Sequence, residues 1–199
     1  LDASGLLQVI PDLSSRHAYV SGPAGLIADY LMDGNPAAAE RLMLAGDFTD
    51  STEPDLLSIK SLLGEIYLVH EDYDKAHEML SDYLEVHPDS IVALNNMAVM
   101  QAKQGKSEEA EKTWQRVCEL DPKYESAWTN YGTHLLQNER YEDARPITVH
   151  LLEIAPESIH AHNLMSIIFL NTREFKKAAT HLRKIIELEP RAFGAYANL

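Results

Sequence analysis

The chain has 199 residues and a formal net charge of −14, and this surplus of acid argues against a nucleic-acid backbone as partner. Its 45% hydrophobic and 24% charged residues are typical of a globular protein of one or two domains. No apolar run approaches the roughly 18 residues of a membrane-spanning helix, so we expect no membrane insertion.

Residues 1–54 form the first predicted region, a degenerate repeat that carries inserted residues. Helical patterns cover residues 23–33 and 36–46, with a Gly-Asn-Pro turn between them. The region ends at Pro54, 43 residues after Pro11, whereas the later prolines recur at a shorter interval.

From Pro54 onward the sequence repeats itself with a period of 34 residues. The prolines at this interval are Pro54, Pro88, Pro122, Pro156 and Pro190. Alanines follow with the same period at Ala76, Ala110, Ala144 and Ala178. A constant interval of this length indicates a repeat architecture, so residues 55–199 are predicted to hold four regular repeats and the start of a fifth.

Each repeat divides into two amphipathic helices, as the segment between Pro88 and Pro122 illustrates. The first apolar face follows the helical period, at Ile91, Leu94, Met97 and Ala98. Gly105 interrupts the pattern, and the hydroxyl of Ser107 is a predicted N-cap for the second helix. That helix ends before Pro122, because proline cannot continue a helix.

The last predicted element is the opening of another first helix, with Phe193, Tyr196 and Leu199 on its apolar face. A solenoid normally ends in a polar cap, and neither end of this sequence has one, so we expect the chain to be part of a longer protein. Apolar faces near Leu6 and near Phe193 leave end-to-end self-association open.

These residues resemble the tetratricopeptide repeat family, whose 34-residue unit is a helix, a turn and a helix. The family pattern is fullest in two repeats, at Leu63-Gly64, Tyr67, Ala76, Leu80 and Pro88, and at Trp128, Tyr131-Gly132, Leu135, Ala144 and Pro156. Ala98 and Ser166 keep the small-residue place elsewhere, and a Gly, Ala or Ser at this place lets the two helices approach closely. Thr148 stands where the family has an aromatic side chain. The resemblance implies an all-α fold, a right-handed superhelical solenoid of antiparallel helix pairs.

The resemblance also implies a binding surface, because the first helices of this family line a concave groove for a peptide or partner segment. Asn side chains recur at the groove-facing places, and an amide can both donate to and accept from a peptide backbone. The predicted partner-binding residues at these places are Asn95, Asn96, Val99, Lys103, Asn130, Thr133, Asn163, Ile167 and Asn198. Leu62 and Leu164 interrupt the asparagine series, and asparagine is also an ordinary helix-surface residue, so both interpretations stay open.

Metal binding and catalysis have little support in the sequence. His160 and His162 are two residues apart and point about 200° away from each other on a helix, so they cannot share an ion. The acidic run of Glu71, Asp72 and Asp74 after His70 lacks the alternating ligands and central Gly of a calcium loop, and a solvated turn with a capping Asp explains it better. Cys118 lies in an apolar stripe and is expected to be buried. We therefore predict no cofactor, no metal and no catalytic residue in this chain.

Two functions fit these observations. The first is a scaffold that binds an extended or helical protein segment in its groove and helps to assemble or regulate a larger complex. The second is the substrate-docking arm of an enzyme, of glycosyltransferase, sulfotransferase or hydroxylase type, whose catalytic domain lies outside this chain. Either fits a soluble protein of the cytoplasm or periplasm, and the compartment stays undecided.

The negative charge lies almost entirely in the first half of the sequence, with a net charge of −13 over residues 1–90 and −1 over residues 91–199. A negative surface attracts a basic partner and speeds the encounter. The sequence therefore predicts a basic partner near the N-terminal half, although a charge run is also what a solvated face carries.

Overall fold

The computed structural model describes residues 53–199, and this part of the chain is α-helical without a strand. The helices in chain order are α1 (Glu53–Val69), α2 (Tyr73–Val86), α3 (Ile91–Lys103), α4 (Ser107–Leu120), α5 (Glu125–Gln137), α6 (Tyr141–Ile154), α7 (Ile159–Asn171), α8 (Phe175–Leu188) and α9 (Phe193–Asn198). The all-α prediction is confirmed. The helices predicted at 23–33 and 36–46 and the apolar face near Leu6 lie outside the described residues, and the domain division at residue 54 stays a prediction.

The helix boundaries follow the 34-residue period of the sequence. Second helices begin at Tyr73, Ser107, Tyr141 and Phe175, and first helices from α3 onward begin at Ile91, Glu125, Ile159 and Phe193. Each first helix is thus followed by its second helix after a short turn. Pro88, Pro122, Pro156 and Pro190 lie between one described repeat and the next, where the second helix has ended, whereas Pro54 lies in the first turn of α1.

The turn inside each helix pair has the same backbone geometry in all four described cases. Its left-handed residues are Glu71, Gly105, Glu139 and Arg173, with φ of 60°, 78°, 58° and 62°. In the first case the Glu71 amide donates to the Leu68 carbonyl and the Asp72 amide donates to the Tyr67 carbonyl. This pair of bonds is the Schellman arrangement that closes a helix C-terminus. Glycine adopts this left-handed φ at the lowest steric cost, and Gly105 is the predicted stop, but Glu71, Glu139 and Arg173 adopt the same conformation at the equivalent place.

The N-cap prediction for Ser107 is wrong by one residue. α4 begins at Ser107 itself, and its N-cap position is Lys106, which makes no side-chain capping bond. The reason is the preceding turn, in which the Lys106 amide already donates to the Gln101 carbonyl and fixes the entry of the chain into α4. The predicted capping Asp of the turn after His70 is confirmed and is Asp72, because its side chain accepts a hydrogen bond from the Lys75 amide at 3.4 Å.

The chain divides into two compact units, Leu1–Met100 and Gln101–Leu199. In the described part of the first unit, α2 packs against α1 around a core of Leu63, Tyr67, Ala76, Leu80, Ala93, Met97 and Met100. Gly64 is required for this contact, since a Cβ there would lie 2.7 Å from Cγ of the buried Leu80.

In the second compact unit α5 packs against α6 and α7, and α7 packs against α6 and α8. Each of these four helices has one fully buried alanine, with 0% of its surface exposed. These alanines are Ala127, Ala144, Ala161 and Ala178. Gly132 and Ser166 hold the small-residue place, and a Cβ at Gly132 would lie 3.2 Å from Cδ1 of Leu164. The sequence-based account of close helix approach is thereby confirmed.

Candidate functional site

The first helices of the second compact unit are each attached to the turn that precedes them. Trp128 Nε1 donates to the carbonyl of Pro122 at 3.0 Å, and His162 Nε2 lies 3.0 Å from the carbonyl of Pro156. Tyr196 makes the same kind of contact one repeat later. His162 therefore replaces Trp128 in both packing and hydrogen bonding, as its repeat position predicts, and these bonds fix the orientation of α5 and α7.

An open pocket of about 300 Å³ lies between α5 and α7. It is lined by Thr129, Thr133, Leu136, Gln137, His160, Asn163, Leu164 and Ile167. Leu164 is 5% exposed and forms an apolar base, whereas Asn163 and Gln137 are exposed at the surface. The pocket thus combines an apolar interior with an amide rim, which is the usual make-up of a site that holds a peptide side chain and its backbone.

The polar groups of the pocket differ in how much hydrogen-bonding capacity they retain. The Thr133 hydroxyl donates to the Thr129 carbonyl at 2.7 Å, so its oxygen remains available only as an acceptor. The side-chain amides of Asn163 and Gln137 make no hydrogen bond with any described residue. Each amide can therefore donate to and accept from a bound backbone.

No lining residue of this pocket is Asp, Glu, Lys or Arg. The pocket therefore provides neither a charged clamp for carboxylates nor an acidic site for a basic side chain.

The structure brings Thr133, Asn163 and Ile167 together out of the predicted binding residues. Asn130 is half-buried on α5, where it has an interaction of its own, and Asn198 is exposed at the end of α9. Neither of these two asparagines lines the α5–α7 pocket.

The other predicted binding residues lie on α3. Asn95 is only 5% exposed and so presents almost no surface to a partner, because its place on the helix faces the interior. Asn96 and Val99 are half-buried, and the Asn96 Nδ2 is buried without a hydrogen-bond partner in the described chain. Lys103 is exposed in the last turn. A continuous asparagine series stays a prediction.

Five pocket residues are not among the predicted partner-binding residues, namely Thr129, Leu136, Gln137, His160 and Leu164. The sequence analysis interpreted Leu164 as an interruption of the asparagine series, yet Leu164 forms the apolar base of the pocket that Asn163 also lines. The available signal was its position at i+4 from His160 and i−3 from Ile167, which places all three on one helix face.

Reactive and metal-binding groups are sparse in the described part of the chain. Cys118 is 7% exposed, and burial raises the pKa of its thiol to about 12, so the thiol stays protonated at neutral pH. Within residues 53–199 no group of three or more His, Cys, Asp or Glu side chains could hold a metal ion. No helix in the same range is long and apolar enough to cross a bilayer.

Helix pairs repeated on a fixed frame, with an open pocket between first helices, define a helical-repeat protein. A family model described as tetratricopeptide repeat matches residues 61–125 and 96–158. The chain therefore belongs to the tetratricopeptide repeat family. Proteins of this family bind protein partners. No curated protein matches the chain in sequence.

Solved structures share the fold at low sequence identity. A tetratricopeptide repeat protein from Parabacteroides merdae superimposes with a TM-score of 0.75 at 19% identity, over 88% of this chain and 69% of that one. MamA 41-end from Desulfovibrio magneticus RS-1 gives 0.70 at 19% identity, over 86% and 98%. The APC/C hetero-tetramer Cut9–Hcn1 gives 0.69 at 17% identity, over 89% and 35%. Identities this low establish the fold alone.

Proposed function

We propose that this chain is a protein-interaction scaffold that binds an extended or helical partner segment across α5 and α7. The observation that carries the proposal is the pocket between these helices, in which an apolar base is bordered by unbonded amides. The scaffold function agrees with the family, and the solved Cut9–Hcn1 neighbour is, by its description, part of a hetero-tetramer.

In the proposed complex the pocket receives one apolar side chain of the partner. Leu136, Leu164 and Ile167 remove that side chain from water, which is the main favourable contribution. Asn163 and Gln137 hold the adjacent backbone without reading its sequence. Because α5 and α7 are packed against each other, the pocket is formed before binding and little ordering cost is added.

The test is an affinity capture of partners from cell extract with wild-type protein and with Ile167→Arg. Arginine would place an unpaired charge beside the apolar base, so we expect recovery of the specific partner to fall about tenfold or more. Asn163→Ala combined with Gln137→Ala should weaken binding by about thirtyfold, at roughly 1 kcal/mol for each of two lost hydrogen bonds.

The matched control is Val149→Arg, which makes the same kind of change at a residue that is 44% exposed on α6 and does not line the pocket. Circular dichroism should show both Arg variants folded. Equal recovery by wild type and Ile167→Arg would contradict the pocket as the binding site. The pair Asn96→Ala and Asn130→Ala tests the asparagine series separately.

A second part of the proposal concerns charge. The described part of the first compact unit, residues 53–100, has ten acidic residues against two lysines, whereas residues 101–199 have a net charge of −1. We propose that the acidic surface guides a basic protein segment to this part of the chain. Asp72 is unsuitable for testing this because it caps α2, so the exposed Glu78 is the better position for charge reversal.

The measurement is the association rate of captured partner with wild type and Glu78→Lys, at low and at physiological salt. We expect a slower rate for the variant and a smaller salt dependence, because screening acts on surface charges. An association rate that does not respond to salt in either protein would remove this part of the proposal.

A further inference from the structure

The outer face of α2 carries a row of exposed acidic side chains. Asp74, Glu78 and Glu85 lie at i, i+4 and i+11, which places them within about 40° of one another around the helix. We refer to these three residues as the acidic stripe. All three are exposed, and none makes an ion pair with a described residue.

One of the three acidic-stripe places carries the opposite charge on α8, whereas Glu78 corresponds to the neutral Thr180 and Glu85 corresponds to the acidic Glu187. Lys176 corresponds to Asp74 and Arg183 corresponds to Ser81, while Arg173 occupies the left-handed turn place held by Glu71. Arg173, Lys176 and Arg183 form the basic stripe, and all three are exposed.

The basic stripe is not neutralised within the described chain. Neighbouring charges on α8 are paired, since Lys177 Nζ contacts Glu174 at 2.5 Å and Lys184 Nζ contacts Glu187 at 3.1 Å. Arg173, Lys176 and Arg183 have no such partner among residues 53–199. Phe175, between two of them in sequence, is 62% exposed and adds apolar surface of the kind found in interfaces.

The two intervening second helices lack this separation of charge. At the places of Lys176, Thr180 and Arg183, α4 has Glu108, Lys112 and Gln115, whereas α6 has Glu142, Pro146 and Val149. Among the four described second helices, α2 thus carries the most acidic stripe and α8 carries the basic stripe.

The spacing of the two stripes also matches. Glu78 and Glu85 are seven residues apart, as are Lys176 and Arg183, and seven helical residues span about 10.5 Å. Two helices laid side by side can therefore bring both pairs of opposite charges into register at once.

We infer that the basic stripe on α8 is a docking surface for a second copy of this chain, which it contacts through the acidic stripe on α2. This inference rests on the charge part of the proposed function and names the basic partner as the protein itself. A second copy fits because its acidic stripe is opposite in sign to the basic stripe and has the same seven-residue spacing. Nucleic acid and anionic membranes fit less well, because they are negative throughout and meet a chain of net charge −14.

The association is weak and sensitive to salt. Exposed ion pairs contribute little individually, and the Debye length at physiological ionic strength is about 8 Å. Screening also removes most of the long-range repulsion between two acidic chains, so the local match of the stripes decides the contact.

The test is analytical ultracentrifugation of the full chain over a range of concentrations at physiological ionic strength, where the long-range repulsion between the acidic chains is screened. Wild type should associate with increasing concentration, and higher salt should reverse the association. Glu78→Lys with Glu85→Lys should raise the dissociation constant about tenfold or more, as should Lys176→Glu with Arg183→Glu. Combining all four substitutions keeps the net charge of wild type and should restore association, as should mixing the two double variants.

The controls change net charge equally without touching the stripes. Glu108→Lys with Glu119→Lys matches the first double variant, and Lys112→Glu with Lys123→Glu matches the second; all four residues are exposed. A strict monomer at all concentrations would overturn the inference while leaving pocket binding to be judged by its own capture experiment. Association that both stripe variants retain would also overturn it, and would indicate contact through the apolar face near Phe193 and Tyr196. Tight binding to DNA or to anionic vesicles, abolished by Lys176→Glu with Arg183→Glu, would identify a polyanion instead.

Discussion

The helix pairs α5–α6 and α7–α8 share one backbone frame but fill it with different chemistry. In both pairs the first helix is bonded to the preceding proline carbonyl at 3.0 Å, by Trp128 in one and His162 in the other. A large indole and a smaller imidazole achieve the same attachment, because each presents a ring nitrogen at the same point. The repeat backbone therefore fixes the position of the hydrogen-bond donor, whereas the type of side chain that provides the donor can differ between repeats.

A charged triad shows the same freedom more strongly. Arg140 binds Glu111 at 2.5 Å and Asp143 at 2.7 Å. One repeat later every sign is reversed, since Glu174 binds Arg145 at 2.9 Å and Lys177 at 2.5 Å. Hydrogen bonds from Lys177 and Arg145 hold the pKa of Glu174 at about 2. The two triads show that the charges of a contact between neighbouring repeats can all be reversed when the three residues change together.

The buried place occupied by Leu182 in α8 and by Thr148 in α6 offers the largest test of this comparison. Leu182 is 1% exposed and Thr148 is 0% exposed, but the Thr148 hydroxyl donates to the Ala144 carbonyl of its own helix. Leu182→Ala should lower the free energy of unfolding by about 3 kcal/mol through lost burial and a cavity. Thr148→Ala should cost about 1 kcal/mol. Urea unfolding followed by circular dichroism measures the loss of free energy of unfolding in each variant. Equal losses for Leu182→Ala and Thr148→Ala would contradict the expected difference and would show that the two positions are packed differently.

Inverting the first triad should have an intermediate effect. Arg140→Glu alone gathers three carboxylates, and we expect a loss of about 0.5–1 kcal/mol, because the Arg140 side chain is 44% exposed and partly screened. Adding Glu111→Arg and Asp143→Lys copies the triad of the next repeat and should recover most of that loss. The same unfolding assay applies, and a triple variant less stable than Arg140→Glu would show that side chains around the triad, not its charges, set the pairing.

The smallest expected effect is a change of stability with pH, caused by two histidines, His134 and His181, at positions where a neighbouring repeat has an isoleucine. Burial and the nearby His162, whose Nδ1 lies 2.9 Å from that of His181, lower the pKa of His181 below 6.5. Burial likewise lowers the pKa of His134, against the opposing effect of Glu111. Since the unfolded chain binds more protons at these sites, stability should fall as pH drops below about 6.5 and level off under the folded pKa.

His181→Ile, which copies Ile147 of the preceding repeat, should reduce this loss of stability in acid. The measurement is the difference in melting temperature between about pH 7.5 and pH 5.5 for wild type and variant. His134→Ile, which copies Ile168 of the following repeat, should reduce it further. An unchanged difference in both variants would assign the acid sensitivity to other groups.

The sequence predicted the helix pairs because their cause is local and periodic. Prolines every 34 residues end the second helices, and apolar residues every three or four positions define the faces that pack. The small residues at Gly64 and Gly132 predicted close helix contacts for the same reason. The prediction for Ser107 failed by one residue, because the turn before it is closed by backbone bonds that leave no sequence signal.

The candidate site was predicted less completely. Sequence position alone placed Thr133, Asn163 and Ile167 on the first helices, and the structure brings them into one pocket. Sequence position could not show that Asn95 is buried or that Leu164 forms the base of that pocket. Those properties depend on how far each helix rotates against its neighbours.

The amino-acid sequence by itself determined the family, the all-α class and the 34-residue spacing of the described helices, because a 34-residue period and helical amphipathicity are properties of neighbouring residues. Tertiary structure decided which side chains meet. The pocket between α5 and α7, the reversed triads and the His162–His181 contact join residues from different helices or repeats. Such contacts depend on the packing distance and rotation of whole helices, which close-packed side chains set collectively.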